Sequence, residues 1–256
     1  MARFEEDPVV EWSEDVAAAD WIVDRLHRSP ADVESDVGSF VPEGFPAYGR
    51  VLHPAWRGEP TVGAKVRWRE LARAAGVPLS PAARFDDLEP GRAIPDLAPP
   101  LEGTLACDEL DALVELLGAF TGVPQSCWFA LWEGYGWIQG PPATAELVAH
   151  PRGRSPESAA RRQARPLAGR VRARVQVPDR PLILYAGPIE AAGAFCREPL
   201  RQSPNLWWPS DRVWCVASEV DFRSTYIGGD EELIGRLVRD PRLEAVTIAV
   251  SAKITD

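Results

Sequence analysis

The chain has 256 residues, of which 45% are hydrophobic and 26% are charged, and its net charge at pH 7 is −10. This composition is typical of a globular protein with a substantial core, and the negative charge disfavours nucleic-acid binding, which needs a basic surface. No segment approaches the ~20 apolar residues that cross a bilayer, and the N-terminus is acidic where a secretory signal would be basic. We therefore expect a cytoplasmic protein that contacts neither membrane nor nucleic acid.

The first half of the chain predicts three short elements followed by a long connection. An acidic first turn and apolar residues at helical spacing predict a helix over 14–28. Aromatic and β-branched residues between prolines predict a strand over 45–53, and the next helix, over 66–75, ends at a glycine. Residues 76–104 contain six prolines, which favours an irregular connection and a possible seam within a single domain.

The second half begins with a helix between Asp108 and Gly122, because its leucines recur at i, i+3 and i+7. A buried strand is predicted over 126–132. The segment 151–180 that follows is basic, with nine arginines and two acidic residues. Its last part alternates arginine with valine or alanine, which predicts a hairpin with one basic face. Residues 151–169 have few large apolar side chains and are expected to form a flexible loop.

The last part of the chain predicts a strand, a helix and a final strand. Alternation over 213–222 indicates a strand that Gly228 and Gly229 end. Asp230 is a plausible N-cap for the next helix, and 245–250 is expected to close the fold as a strand. Because several consecutive strands lack intervening helices, the whole pattern predicts an α+β fold with a mostly antiparallel sheet and many ordered loops.

The residue types disfavour a metal or a cofactor. The four cysteines lie far apart in the sequence without a Cys-x-x-Cys pair, which fits reduced, mostly buried thiols better than a zinc site. No phosphate-binding loop motif occurs, and Gly228 and Gly229 precede acidic residues that would repel a phosphate. The three histidines share no motif with a nucleophile. We expect neither a metal nor a cofactor.

Three carboxylates are candidates for a polar site. Glu219 and Asp221 occupy alternate positions of a predicted strand and therefore share one face. Glu133 follows another predicted strand and could join them in an acidic cleft. Such a cleft suits general acid and base chemistry on a sugar. The alternative interpretation is that Glu219 and Asp221 only solvate the outer face of a half-buried strand.

Aromatic residues cluster near the same segments. Two adjacent rings, Trp207 and Trp208, point to opposite faces of an extended segment, so one of them is expected to line a surface groove or interface. Alanine at either position should then weaken binding and leave the fold intact. The complete set of candidate binding residues is Trp132, Tyr135, Trp137, Trp207, Trp208 and Tyr226.

Three segments carry a resemblance to a known family: Val37 to Trp56, Trp128 to Gly136, and Pro204 to Asp221. They include the runs His-Pro-Ala-Trp, Trp-Glu-Gly-Tyr-Gly and Asn-Leu-Trp-Trp-Pro-Ser-Asp. Together these segments resemble an uncharacterised family of actinobacterial proteins. The resemblance implies no activity.

Two functions are compatible with these residues. The first is a cytoplasmic binding or interaction protein, of an immunity or regulatory type, whose aromatic and acidic surface holds a protein partner or a small polar ligand. The second is a hydrolase of a sugar or polyol that uses Glu133, Glu219 and Asp221. Because no set of residues completes a known catalytic constellation, we expect a binding protein rather than an enzyme.

Overall fold

The computed structural model describes residues 10–27, 35–88, 94, 96–135, 173–177, 180–196 and 202–254. The strands in these ranges are β1 (Glu11–Trp12), β2 (Ala47–Leu52), β3 (Ala55–Arg57), β4 (Ala64–Val66), β5 (Leu97–Ala98), β6 (Cys127–Trp132), β7 (Val175–Val177), β8 (Arg180–Gly187), β9 (Leu206–Pro209), β10 (Cys215–Ser218), β11 (Ser224–Gly229) and β12 (Ala245–Thr247). The α-helices are α1 (Asp20–Val23), α2 (Trp68–Ala75), α3 (Cys107–Gly118), α4 (Ala192–Cys196) and α5 (Glu231–Arg239).

The strands form one large and one small antiparallel sheet. The large sheet has nine strands in the order β1-β8-β6-β9-β10-β11-β2-β12, with β7 also pairing with β8. The small sheet has the order β4-β3-β5. This arrangement confirms the predicted α+β fold with a mostly antiparallel sheet and short helices.

Both faces of the large sheet are buried. One face packs against apolar side chains of α3, α4 and α5. The other face is covered by the N-terminal segment, which includes α1 and a short 3-10 turn at Val37–Ser39, and by the C-terminal segment after β12. Because side chains of a strand alternate between faces, the central strands contribute apolar residues to two separate cores.

Trp207 and Trp208 each occupy one of these cores, so the prediction that one of them lies at the surface is wrong. Both are only 1% exposed. The Trp207 ring stacks on Phe129, at 6.1 Å between ring centroids. Trp208 meets Trp21 edge to face, at 6.5 Å, on the other side of the sheet. The two rings do diverge, but the second face has its own apolar cover.

A third core lies between the small sheet and α2. It is built from Trp68, Leu71 and Phe85 among others. The first backbone N–H groups of α2 donate to the buried Glu244 carboxylate, at 2.7 Å from Trp68 and 2.9 Å from Arg69. The helix is thus capped by a residue that is distant in the sequence, and no local cap signal precedes it.

Several predicted boundaries differ from the structure. The first predicted helix is a 3-10 turn at Val16–Ala19 followed by the four-residue α1. The strand predicted over 213–222 ends at Ser218, and a turn then leads into β11, which extends through the diglycine. A Cβ at Gly228 would lie 2.3 Å from a ring carbon of Phe45, so packing requires glycine there. β9 was not predicted as a strand.

The predicted hairpin is present as β7 and β8, which pair antiparallel, whereas Arg170 and Arg172 of its predicted basic face lie outside the described residues. The predicted loop 151–169 lies outside the described residues. Whether the chain forms one domain with a seam at 76–104 stays a prediction.

Cys107 and Cys196 form a disulfide, so the prediction of reduced thiols is wrong for this pair. Their Cα atoms are 5.5 Å apart and 89 residues separate them in the sequence. The bond joins the first turn of α3 to the end of α4. Cys127 and Cys215 are free and buried, as the apolar sequence around them suggests.

The burial of both tryptophans predicts a stability effect rather than a binding effect. Trp207→Ala and Trp208→Ala should each lower the free energy of unfolding by about 3–5 kcal/mol, because each leaves a large cavity. Trp128→Ala, at a partly buried position of β6, is the matched control and should lower the free energy of unfolding by less. Urea denaturation checks this, and near-native stability of either variant would contradict the two-sided core.

The disulfide predicts two free thiols per chain in denaturant without reductant. Reduction should lower the free energy of unfolding by about 2–5 kcal/mol, because the bond restricts a long loop of the unfolded chain. Thiol titration and thermal unfolding with and without reductant check this. The double variant Cys107→Ser/Cys196→Ser should not respond to reductant. Four reactive thiols in the untreated protein would contradict the bond.

Candidate functional site

A cleft opens where the ends of several strands meet the N-terminal covering segment. We call it the Glu219 cleft. One wall comes from the covering segment and the other from the large sheet and the turn after β10. Its lining residues include Leu26, His27, Ser39 and Phe40 on the first wall, and Val177, Arg180, Leu182, Asn205, Leu206, Ala217 and Glu219 on the second. Apolar side chains and polar or charged side chains therefore line the cleft in about equal number.

Arg180 gathers two of the predicted carboxylates. Its Nε lies 2.6 Å from Glu219 Oε1, and its terminal nitrogen pairs with Asp221. Its guanidinium also lies over the Trp132 ring, with Cζ 5.2 Å from the ring centroid. Three predicted site residues therefore surround one arginine of β8. Glu219 and Asp221 lie beyond the end of β10, so the turn brings them together and the strand alternation does not.

The Glu219 carboxylate is held in an environment that resists ionisation. Its side chain is 16% exposed. Burial raises the pKa of Glu219 above its usual range, although Arg180 and the backbone N–H of Val220 act in the opposite direction. A carboxyl of this kind exchanges a proton closer to neutral pH than an exposed one.

Asn205 holds the strand ends that form the cleft. Its side-chain oxygen accepts a hydrogen bond from the backbone N–H of Trp132 at 2.9 Å. Its amide nitrogen donates to the Tyr135 hydroxyl at 2.8 Å and to the Ser218 carbonyl at 3.0 Å. Burial raises the pKa of Tyr135 to about 12, so its hydroxyl stays protonated. Asn205 is thus a positioning residue.

Among the predicted site residues in the described ranges, only Glu219 lines this cleft. Glu133 pairs with Arg174 through both of its oxygens, so it lies with a different arginine from Glu219 and Asp221. Tyr226 is fully buried, and the Arg50 guanidinium lies 5.9 Å from its ring centroid. Its predicted exposure is wrong because β11 is a central strand. Trp137 lies outside the described residues.

His53 belongs to a buried hydrogen-bonded chain. Its Nδ1 donates to the Leu101 carbonyl at 2.8 Å, so Nε2 accepts from the Thr225 hydroxyl at 2.9 Å. Thr225 in turn contacts the Ser218 hydroxyl at 2.7 Å. Burial lowers the pKa of His53 to about 4. The ring is therefore neutral near pH 7 and serves to fix the sheet to the segment before α3.

His27 lies between two carboxylates and lines the Glu219 cleft. Its Nδ1 is 3.0 Å from Asp36 and its Nε2 is 3.1 Å from Glu43. The hydrogen bond with Glu43, together with that to Asp36, raises the pKa of His27 above its ordinary value against the effect of burial. Only a protonated imidazole can donate from both nitrogens, so the geometry selects the charged form.

The sequence interpretation missed the residues that organise this site. Arg180 follows a Pro-Asp pair, and the pattern places it in the turn of the predicted hairpin. Asn205 precedes a strand that the pattern did not reveal. The only sequence signal was proximity, because Asn205 and Glu219 both lie in the aromatic segment 205–229. Their partners come from strands that are distant in the sequence.

Comparison with known proteins gives no relative: no family model, curated protein or solved structure matches the chain. The resemblance to an uncharacterised actinobacterial family therefore stays a prediction. Among the described helices, none is both long and apolar enough to span a membrane. In the same ranges, no three histidine, cysteine, aspartate or glutamate side chains are grouped so that they could hold a metal ion.

The two described histidines should have pKa values on opposite sides of the ordinary value of 6.5, with His27 above it and His53 below it. The raised pKa of His27 means that its stabilising effect is complete below pH 6.5 and is lost as the pH rises through the folded value. The lowered pKa of His53 means that its contribution is present above pH 6.5 and is lost as the pH falls toward 4.

Imidazole NMR signals measured against pH check both values. The signal that disappears in His27→Gln should titrate above 6.5, and another should titrate near 4. The stability difference between His27→Gln and the unmodified chain should shrink at alkaline pH. A His27 signal that titrates below 6.5 would contradict the carboxylate geometry.

Proposed function

We propose that this chain is a binding protein that holds a small polar ligand of the sugar or polyol class in the Glu219 cleft. The observation that supports this most directly is the Arg180–Glu219 pair, a donor and an acceptor 2.6 Å apart in the wall of a cleft that apolar and polar side chains line in about equal number. Small-ligand sites combine apolar surface with convergent polar groups that fix the orientation of the ligand.

The chemistry of the walls favours hydroxyl groups. A hydroxyl both donates and accepts hydrogen bonds, and it can therefore satisfy an arginine N–H and a carboxylate oxygen together. Phe40 and Leu206 supply apolar surface on which the C–H face of a sugar ring can pack. The Phe40 ring is held by an edge contact with Phe222, at 5.0 Å between centroids, so this wall is preorganised.

Binding of a protein partner, instead of a small ligand, is the alternative version of this proposal. An immunity-type or regulatory protein was expected to use exposed aromatic rings. In the described ranges Trp207, Trp208 and Tyr226 are buried, and the strongly exposed large hydrophobic residues are separate valines. A small ligand therefore has more support than a protein interface.

Hydrolysis of a sugar or polyol is the second candidate function. Burial raises the pKa of Glu219, which supports it, because a raised carboxyl pKa is what a general acid requires. Glu219 and Asp221 contact the same guanidinium, however, whereas hydrolysis needs two carboxyls on opposite sides of the substrate. Binding without catalysis is therefore the stronger proposal.

A cytoplasmic location is also a proposal. The redox state of the Cys107–Cys196 disulfide in cells is relevant to this location, because disulfides persist mainly outside the reducing cytosol. The redox state of this pair in cells tests the location directly: a reduced pair would support it, and an oxidised pair would argue against it.

The binding proposal predicts that Glu219→Gln weakens the ligand at least about tenfold, since a hydrogen bond to a charged group contributes roughly 1.5–3 kcal/mol. A thermal-shift screen of neutral sugars and polyols, each at about a hundred times a plausible dissociation constant, identifies the ligand. Calorimetry then compares the unmodified chain, Glu219→Gln and the control Glu115→Gln, whose exposed carboxylate pairs with Arg242 outside the cleft.

Equal affinities in all three proteins would contradict the site, as would the absence of any stabilising sugar or polyol. Release of a smaller product from the bound ligand, lost in Glu219→Gln, would instead favour the hydrolase.

A further inference from the structure

We propose that a second cleft, built around Trp21, binds an oxyanion through Arg25 and Arg212. We call it the Trp21 cleft. It forms where α1, the loop before β2 and the turn between β9 and β10 meet, and its lining also includes Glu43, Phe45 and Asp230. This inference does not depend on the function proposed for the Glu219 cleft.

The two arginines converge on one aromatic ring. The Arg25 Cζ lies 5.9 Å from the Trp21 ring centroid, and the Arg212 Cζ lies 5.5 Å from it. Trp21 itself is 8% exposed and is fixed by edge contacts with Phe45 and Trp208. A rigid ring therefore holds two guanidinium groups at the same concave surface.

Neither guanidinium has an ion pair or a hydrogen bond with any residue in the described part of the chain. The two carboxylates that line the cleft have other partners. Glu43 contacts His27 Nε2 at 3.1 Å, and Asp230 accepts the Leu233 N–H at 2.6 Å as the N-cap of α5. In a chain whose net charge is −10, two arginines that have no acidic partner among the described residues supply donors for an anion in this cleft.

The backbone at Arg212 gives a second, independent indication. Its φ is +60°, a left-handed conformation that is strained for a residue with a side chain and that glycine adopts freely. The Arg212 N–H donates to the Pro209 carbonyl at 2.9 Å, which closes the turn. Arginine occupies a position where glycine would be less strained, and strain of this kind clusters at ligand sites.

The ligand chemistry follows from the guanidinium groups. Arginine presents a planar fork of donors that matches both carboxylate and phosphate oxygens. Two such forks beside an aromatic wall suit a compact anion with several oxygens. The shared chemistry is an oxyanion, and a phosphoryl compound and a dicarboxylate are its two sources.

The test is calorimetric titration of the full chain with inorganic pyrophosphate and, separately, with malonate at low ionic strength. We expect saturable binding of at least one of them. Arg25→Gln and Arg212→Gln should each weaken it by about tenfold or more, since charge-assisted hydrogen bonds are lost. The matched control is Arg236→Gln, because Arg236 stacks on Phe120 at 5.2 Å outside the cleft and should bind normally.

The two anions and the variants distinguish the results of this experiment. Binding of pyrophosphate alone assigns a phosphoryl ligand, and binding of malonate alone assigns a carboxylate. Arg212→Gly should lose the anion while its melting temperature stays equal or rises, because the backbone strain is relieved. Glu219→Gln should bind the anion normally, which distinguishes this site from the Glu219 cleft. No saturable binding, or equal losses in the Arg236→Gln control, would overturn the proposal.

Discussion

The burial of both faces of the nine-stranded sheet is the constraint on which the rest of the structure depends. Three helices cover one face, and the two terminal segments of the described chain cover the other. Strands covered on both sides must place apolar side chains at successive positions, which explains the run of large residues in β6 and β9. The terminal segments are therefore structural elements, and not appendages to a finished core.

This two-sided burial also determines where a ligand can bind. The faces of the sheet are filled by apolar side chains, whereas clefts form at junctions where the covering segment meets strand ends and turns. Both clefts lie at such junctions. The Glu219 cleft uses the ends of β8, β9 and β10, and the Trp21 cleft uses the turn between β9 and β10. The His27–Glu43 ion pair connects the walls of the two clefts.

Much of the local structure could be predicted from the sequence. The α+β class, the helix that became α3, and the strands β2 and β6 follow from hydrophobic period and from glycine and proline positions. α2 ends at Gly76, whose φ of +71° is the left-handed cap that the sequence suggested. These features depend on residues that are close in the sequence, and hydrophobic periodicity describes the pattern of such residues.

The errors arose where distant residues decide the outcome. One of Trp207 and Trp208 was expected at the surface because the sequence does not show that the N-terminal segment covers the second face, where Trp208 lies. Glu219 and Asp221 were paired by strand alternation, but they meet through Arg180, a contact across the sheet. Asn205, the residue that ties the strand ends together, has no signal in periodicity. Tertiary contacts of this kind can be read only from the folded chain.

Native-state hydrogen exchange of the β9 amides tests the two-sided burial most directly. If both faces are covered, the amides of Trp207 and Trp208 should exchange only through global unfolding, at the rate of the best-protected amides of β6 and β10. The N-terminal covering segment should not open at a much lower free energy. Exchange of the β9 amides by local opening, far faster than that of the α3 amides, would contradict the account.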